Sequence, residues 1–136
     1  VRGGGAYCNG QPIQVSKETD LRKSLLATGF AYHPETIEAN IALFGRVHRH
    51  VRSIRRPGAA ALDLCNVARG RFEAFWELKL NAWDVAAGML LIQEAGGTLT
   101  NGQGEIYRLG DPVVVASNGH IHGKLLEVLG LGNSLA

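Results

Sequence analysis

The stretch from Asn81 to Gly97 constrains this chain more than any other: Asn-Ala-Trp-Asp-Val-Ala-Ala-Gly-Met-Leu-Leu-Ile-Gln-Glu-Ala-Gly-Gly. After Asp84, only Gln93 and Glu94 break a run of Val85, Ala86, Ala87, Met89, Leu90, Leu91, Ile92 and Ala95. A helix apolar on nearly every side belongs in the middle of the packing. Gly96-Gly97 stops it, because glycine takes the left-handed turn after a helix without steric cost. Asp84 stands in the first turn, where a carboxylate satisfies N–H groups that have no partner within the helix. The pattern leaves two roles open for it: a cap beside a core Trp83, or an oxygen ligand for a hard cation such as Mg²⁺. Ala86, Ala87 and Gly88 are small enough to admit other backbone near that site.

The rest of the chain alternates between the two periods. Ala6–Cys8 and Ile13–Val15 flank Asn9-Gly10, the dipeptide of a tight hairpin, and Pro12 suits an edge position. Leu25, Leu26 and Ala27 read as a short buried strand before Gly29. Pro34 opens a helix predicted to run to about Arg52, with Ile37, Ile41, Phe44 and Val51 on one face. Ser53–Arg55 reads as a strand before Pro57-Gly58. Ala61, Leu64, Cys65 and Ala68 mark the apolar stripe of a helix that Gly70 closes. Phe72 to Glu77 alternates as a strand, with Phe72, Ala74 and Trp76 on one side. Thr98–Thr100 and Val113–Ser117 are predicted strands joined by a turn at Asn101–Gly104. Ile121–Leu129 is a last helix, and the tail from Gly130 is expected to fray. Strands alternating with helices give an α/β fold: a layered mixed sheet with covering helices.

Composition excludes several classes. With 136 residues, 46% hydrophobic and 19% charged, the chain is an ordinary globular domain rather than a disordered segment. A net charge of +2 does not by itself argue for nucleic acid. Arg46, His48, Arg49, His50, Arg52, Arg55 and Arg56 form a basic cluster, but no aromatics interleave with it as a single-strand binder requires. Cys8 and Cys65 form no C-x-x-C pair and suit small buried thiols in a reducing cytoplasm. No apolar run reaches the ~20 residues of a membrane span. His33, His48, His50, His120 and His122 lack a zinc arrangement, and Ser117 lacks the Gly-x-Ser-x-Gly setting of a hydrolase nucleophile. Trp76 and Trp83 are expected in the core.

Trp-Asp-x-Ala-Ala-Gly with Glu-Ala-Gly-Gly after the apolar run resembles the C-terminal signature of the inositol monophosphatase family. Gly4-Gly5-Ala6-Tyr7-Cys8-Asn9-Gly10-Gln11-Pro12-Ile13 is similar to that family's central hairpin. The segment from Gly58 to Gly70, Gly-Ala-Ala-Ala-Leu-Asp-Leu-Cys-Asn-Val-Ala-Arg-Gly, resembles its substrate-side helix. The family's two other metal motifs, a helical Glu and Asp-Pro-x-Asp-Gly-Thr, do not occur. The resemblance therefore implies that residues 1–136 are one C-terminal domain, half of the sugar-phosphatase fold, with the N-terminal metal-binding half absent.

That resemblance carries further expectations. The reaction is hydrolysis of a sugar or polyol phosphate by a Mg²⁺-activated water. Asp84 is the expected catalytic metal ligand, and one carboxylate is too few for a cation that wants about six oxygens. Glu77 is the expected contact to a substrate hydroxyl, with Gly58, Ala59 and Ala60 offering backbone N–H groups and Arg55 a further contact. The chain alone is expected to be inactive, to expose apolar surface and to pair as a homodimer, in the cytoplasm. Two alternatives stand beside this reading. One is a sister phosphatase acting on histidinol phosphate, fructose bisphosphate or phosphoadenosine phosphate. The other is a non-catalytic module that associates with the transcription machinery through the basic cluster.

Overall fold

The structure, a computed structural model, describes residues 1–31 and 33–132. Asn9 (φ 51°) and Gly10 (φ 78°) both adopt the left-handed backbone that a two-residue hairpin turn demands. They join β1 (Tyr7–Cys8) to β2 (Gln11–Pro12), paired antiparallel. The main sheet has five strands: β3 (Leu25–Thr28), β4 (Ser53–Arg55), β5 (Ala74–Leu78), β6 (Thr98–Thr100) and β7 (Val113–Ser117). Their spatial order is β4-β3-β5-β7-β6. β4 and β5 flank β3 in parallel, while β7 runs antiparallel to β5 and β6 antiparallel to β7. The mixed sheet predicted from the alternation of elements is present.

Among the described residues four α-helices cover both faces: α1 (Ile37–His48), α2 (Ala60–Ala68), α3 (Ala82–Glu94) and α4 (His122–Leu129). Strand alternation divides the core between them. Ala74, Trp76 and Leu78 of β5 face a cluster holding Leu43 and Val47 of α1 and Leu125 and Leu129 of α4. Phe75 faces the opposite cluster, with Leu64 and Val67 of α2 and Val85 and Ile92 of α3. Every residue of β5 is buried, as expected of a strand covered on both faces. Full burial of Leu64 or Ile92 contributes roughly 1.5–3 kcal/mol each. Gly88 lets α3 approach α2 closely: a Cβ there would lie 2.5 Å from Leu64 Cδ1.

Several expectations need correction. α3 is not surrounded by protein: Val85, Gly88 and Ile92 are buried, but Ala86 and Ala87 are exposed. Trp83 is 80% exposed, so only Trp76 of the two tryptophans belongs to the core. The low polarity of α3 reflects one covered face and one apolar face open to solvent. α1 ends at His48, four residues early, and its buried face is Asn40, Leu43 and Val47. Ile37 and Ile41 point outward, 51% and 58% exposed. Leu43 and Val47 pack instead into the cluster shared with α4 and the sheet, and Phe44 and Val51 pack against its edge. Leu131 is 6% exposed, and Gly130 ends α4 in the left-handed conformation, so the chain stays packed past Gly130. The predicted fraying beyond Gly132 lies outside the described residues. No described helix is long and apolar enough to cross a membrane.

Candidate active site

The three parallel strands all end at the same edge of the sheet. In an open α/β sheet, the crevice beyond the carboxyl ends of such strands is where ligands bind. β3 runs out at Thr28 into Gly29, β4 at Arg55 into Arg56, and β5 carries Glu77 one residue from its end. α2 and α3 begin just after β4 and β5, so both helix N-termini face this edge. A cleft of about 300 Å³ lies there, lined in part by Gly29, Phe30, Arg56, Gly58, Ala60, Glu77 and Asp84.

Asp84 takes the capping role that its sequence position allows. Its Oδ2 accepts the Asn81 N–H at 3.1 Å, which caps α3. The side chain is nonetheless only half-buried and lines the cleft. Glu77 is more enclosed, 7% exposed. Burial pushes its carboxyl up to about 7, and the charges of Asp63 and Asp84 add to the shift while Arg56 opposes it. Its carboxyl group lies directly against Gly29, where any Cβ would overlap Glu77 Oε1. Glycine is required at that position so that the acid can turn under the end of β3.

Gly58, with φ +91°, turns the chain from β4 into α2 and lines the cleft with Ala60. Ala59 is the N-cap residue of α2 and is not among the lining residues. Arg55 also lies outside the cleft wall: its guanidinium donates to Ser53 Oγ and the Ile54 carbonyl. Its neighbour Arg56 takes the wall position, with its guanidinium carbon 5.3 Å from the centroid of Phe30.

Sequence reasoning missed Arg56, Gly29 and Asp63. Asp63 is 1% exposed, and neither of its carboxylate oxygens has a hydrogen-bond partner among the described residues. Burial alone raises its carboxyl to about 6. The signal was present: Asp63 sits beside Leu64 and four residues before Val67, on the buried stripe of α2. An acid on such a stripe is rarely fully buried without a partner. The signal for Gly29 was a glycine immediately after a buried strand.

A second polar group lies away from the cleft. His122 Nδ1 is 2.7 Å from Ser117 Oγ, and Nε2 is 2.8 Å from Thr100 Oγ1. Thr100 donates its hydroxyl to the Asn101 carbonyl, so it accepts from Nε2–H. Ser117 accepts the Gly119 N–H and donates to Nδ1, which assigns a neutral Nε2–H tautomer. Ser117 is completely buried, so this chain of bonds joins β6, β7 and α4 and presents no nucleophile to solvent.

Among the described residues, no group of three or more His, Cys, Asp or Glu side chains could hold a metal ion. Asp84, with one oxygen engaged in the cap, is a partial donor set for Mg²⁺. This chain alone does not fit the ion.

The sequence profile of the inositol monophosphatase family matches residues 1–130. The chloroplastic phosphatase IMPL1 of Arabidopsis thaliana is 48% identical over 126 residues, covering 92% of this chain and 34% of that protein. The Nus factor SuhB of Pseudomonas aeruginosa is 40% identical over 131 residues, covering 94% of this chain and 48% of that protein. The solved inositol monophosphatase of Anabaena superposes with a TM-score of 0.91 at 40% identity, covering 98% of this chain and 53% of the other. The chain thus spans from a third to about half of the length of these relatives. With the sheet, the cleft and the profile match in agreement, this chain belongs to the inositol monophosphatase family.

Proposed function

We propose that this chain is the C-terminal half of a Mg²⁺-dependent phosphomonoesterase that acts on inositol monophosphate or a related sugar or polyol phosphate. The observation that carries the reading is the meeting of Glu77 and Asp84 with the N-terminus of α2 in one cleft. Asp84 Oδ1 is left to serve as one oxygen ligand while Oδ2 holds the cap. Glu77, titrating near neutrality, accepts a hydrogen bond from a ring hydroxyl when ionised. The first-turn N–H groups of α2 face oxygen-rich ligands. The remaining acidic ligands belong to the half that the longer relatives carry. The apolar face of α3, with Trp83, is the surface that this half covers, and exposed Ile37 and Ile41 suit a homodimer contact.

The test joins this chain to an N-terminal half and measures phosphate release from inositol 1-phosphate with Mg²⁺. Turnover in the joined protein, its loss in Asp84→Asn and none in the chain alone are the expected results. Turnover that survives Asp84→Asn sinks the reading. A second reading draws on the Nus factor relative and on the exposed Arg49 and Arg52 beyond α1. It requires salt-dependent RNA binding that survives Asp84→Ala.

A further inference from the structure

Asp63 of α2 is enclosed, and neither carboxylate oxygen has a hydrogen-bond partner among the described residues. An acid so placed is costly to ionise and rare without a partner. The topology fixes what it faces. β4 and β5 both run parallel to β3, so α2, which connects them, returns antiparallel to the strands. Val67 of α2 and Phe75 of β5 share one core cluster. One turn before Val67, on the same buried stripe, stands Asp63. Two residues beyond Phe75, on the same face of β5, stands Glu77. The helical step is ~6 Å and the strand step ~7 Å, both toward the cleft, so the two carboxyl groups come to the same level between helix and sheet.

The electrostatics agree with that placement. Burial is the largest cause of the raised Glu77 carboxyl, and the Asp63 charge comes next, ahead of that of Asp84 on α3. Arg56, at the junction of β4 and α2, acts in the opposite direction. Lys79, just past β5, is tied to Glu35 at 3.0 Å, and His33 approaches the same carboxylate at 3.8 Å. On the two neighbouring strands, Glu77 meets no charge: Gly29 follows β3, and Val114 of β7 stands opposite in register. Asp63 gives up its proton at about 6 and Glu77 at about 7, so Asp63 is already charged over the range in which Glu77 ionises.

Resting on the phosphomonoesterase reading above, we propose that Asp63 is a positioning residue of the cleft: facing Glu77 from α2, it decides whether that carboxyl meets a polyol as a hydrogen-bond donor or as an acceptor. Asp63 itself touches no ligand, because it is enclosed and does not line the cleft. A protonated Glu77 donates a hydrogen bond, whereas an ionised one only accepts, and can take hydroxyls on both oxygens. Asp63 thereby delays the accepting form until the pH reaches neutrality.

The experiment uses the 136-residue chain without metal. The carbon-13 resonance of the Glu77 side-chain carboxyl is followed from pH 4 to pH 9 in the parent, Asp63→Asn and Asp63→Ala, and circular dichroism verifies that each is folded. The parent midpoint is expected at about 7. In both variants it should fall by roughly 0.5–1. Binding of myo-inositol, which carries no charge, is read on the same resonance at pH 6 and pH 8. In the parent it should be about tenfold tighter at pH 8, the ratio of ionised Glu77 at the two pH values, and in the variants about two- to fourfold. A Glu77 midpoint that both variants leave unchanged, a pH preference that they keep in full, or no binding of myo-inositol at pH 8 overturns the proposal. The two readings fail separately. A midpoint set by Asp63 without turnover in the joined protein sinks only the phosphatase reading. Turnover with a midpoint indifferent to Asp63 sinks only this one.

Discussion

Asp63→Asn should stabilise this chain at neutral and alkaline pH, against the usual direction for a buried substitution. The parent carboxyl is enclosed beside Leu64 with no donor for either oxygen among the described residues. Its pKa stands at about 6 in the folded chain against the ordinary 3.8. Folded protein therefore holds its proton over a pH range in which unfolded protein has released it. Stability is highest below the unfolded value, falls as pH rises from about 4 through about 6, and is flat beyond. A displacement of that size corresponds to roughly 3 kcal/mol, at 1.36 kcal/mol for each pKa unit. Asparagine keeps the shape, loses the charge and still leaves polar atoms to satisfy, so the net gain at pH 8 is about 1–3 kcal/mol. For a chain of this length that raises the melting temperature by roughly 3–12 °C. The assay is urea unfolding of parent and variant between pH 4 and 8, followed by far-ultraviolet circular dichroism. The difference between the two proteins should be small at pH 4 and open up above pH 6. A variant less stable than the parent at pH 8 by 1 kcal/mol or more would refute the argument, since it would mean that the carboxylate has a donor.

Four further predictions follow from other positions. Gly29→Ala should displace the Glu77 carboxyl that its Cβ would overlap, at a cost of about 1–3 kcal/mol, and Glu77→Ala in the same chain should relieve most of it in a thermal melt. His122 has its pKa lowered from 6.5 to about 4 by burial, so its contribution is complete above pH 6.5 and is lost as pH falls toward 4. About 3 kcal/mol of acid sensitivity should vanish from the pH–stability curve of His122→Gln, although that variant is less stable overall. Gly88→Ala should cost about 1–3 kcal/mol by pressing on Leu64, and Leu64→Ala should make the added methyl harmless, as a double-mutant cycle would read. Asp84→Ala removes the acceptor of the Asn81 N–H and should lower stability by about 1 kcal/mol in chemical unfolding, independently of any metal.

Local rules were enough to read most of the framework. The Asn9-Gly10 turn, the strands at Leu25, Ser53, Thr98 and Val113, and the start of α3 all follow from periodicity and turn chemistry. The errors occurred where burial depends on partners distant in sequence. Ile37 and Ile41 have the spacing of a core face, yet Leu43 and Val47 are the residues that meet α4 and the sheet. Trp83 is apolar and next to a core helix, but only the tertiary arrangement decides that its side of α3 is open. At the cleft, Asp84 and Glu77 could be picked out because the resemblance to the inositol monophosphatase family points to those two positions. Arg56, Gly29 and Asp63 matter through contacts across three strands, and no spacing in one segment encodes those. Arg55 and Arg56 are adjacent and chemically identical, so only the direction of the strand end separates wall from exterior.

The contrast between the two indoles has a practical consequence. Trp76 is sealed within the sheet, and Trp83 stands in solvent one residue before Asp84. Emission from the first is blue and insensitive to dissolved quenchers until the sheet opens. Emission from the second is red and quenchable for as long as nothing lies over α3. The chain thus carries two intrinsic optical probes of different colour, one reporting on whether the molecule is folded and the other on whether the open face of α3 is covered.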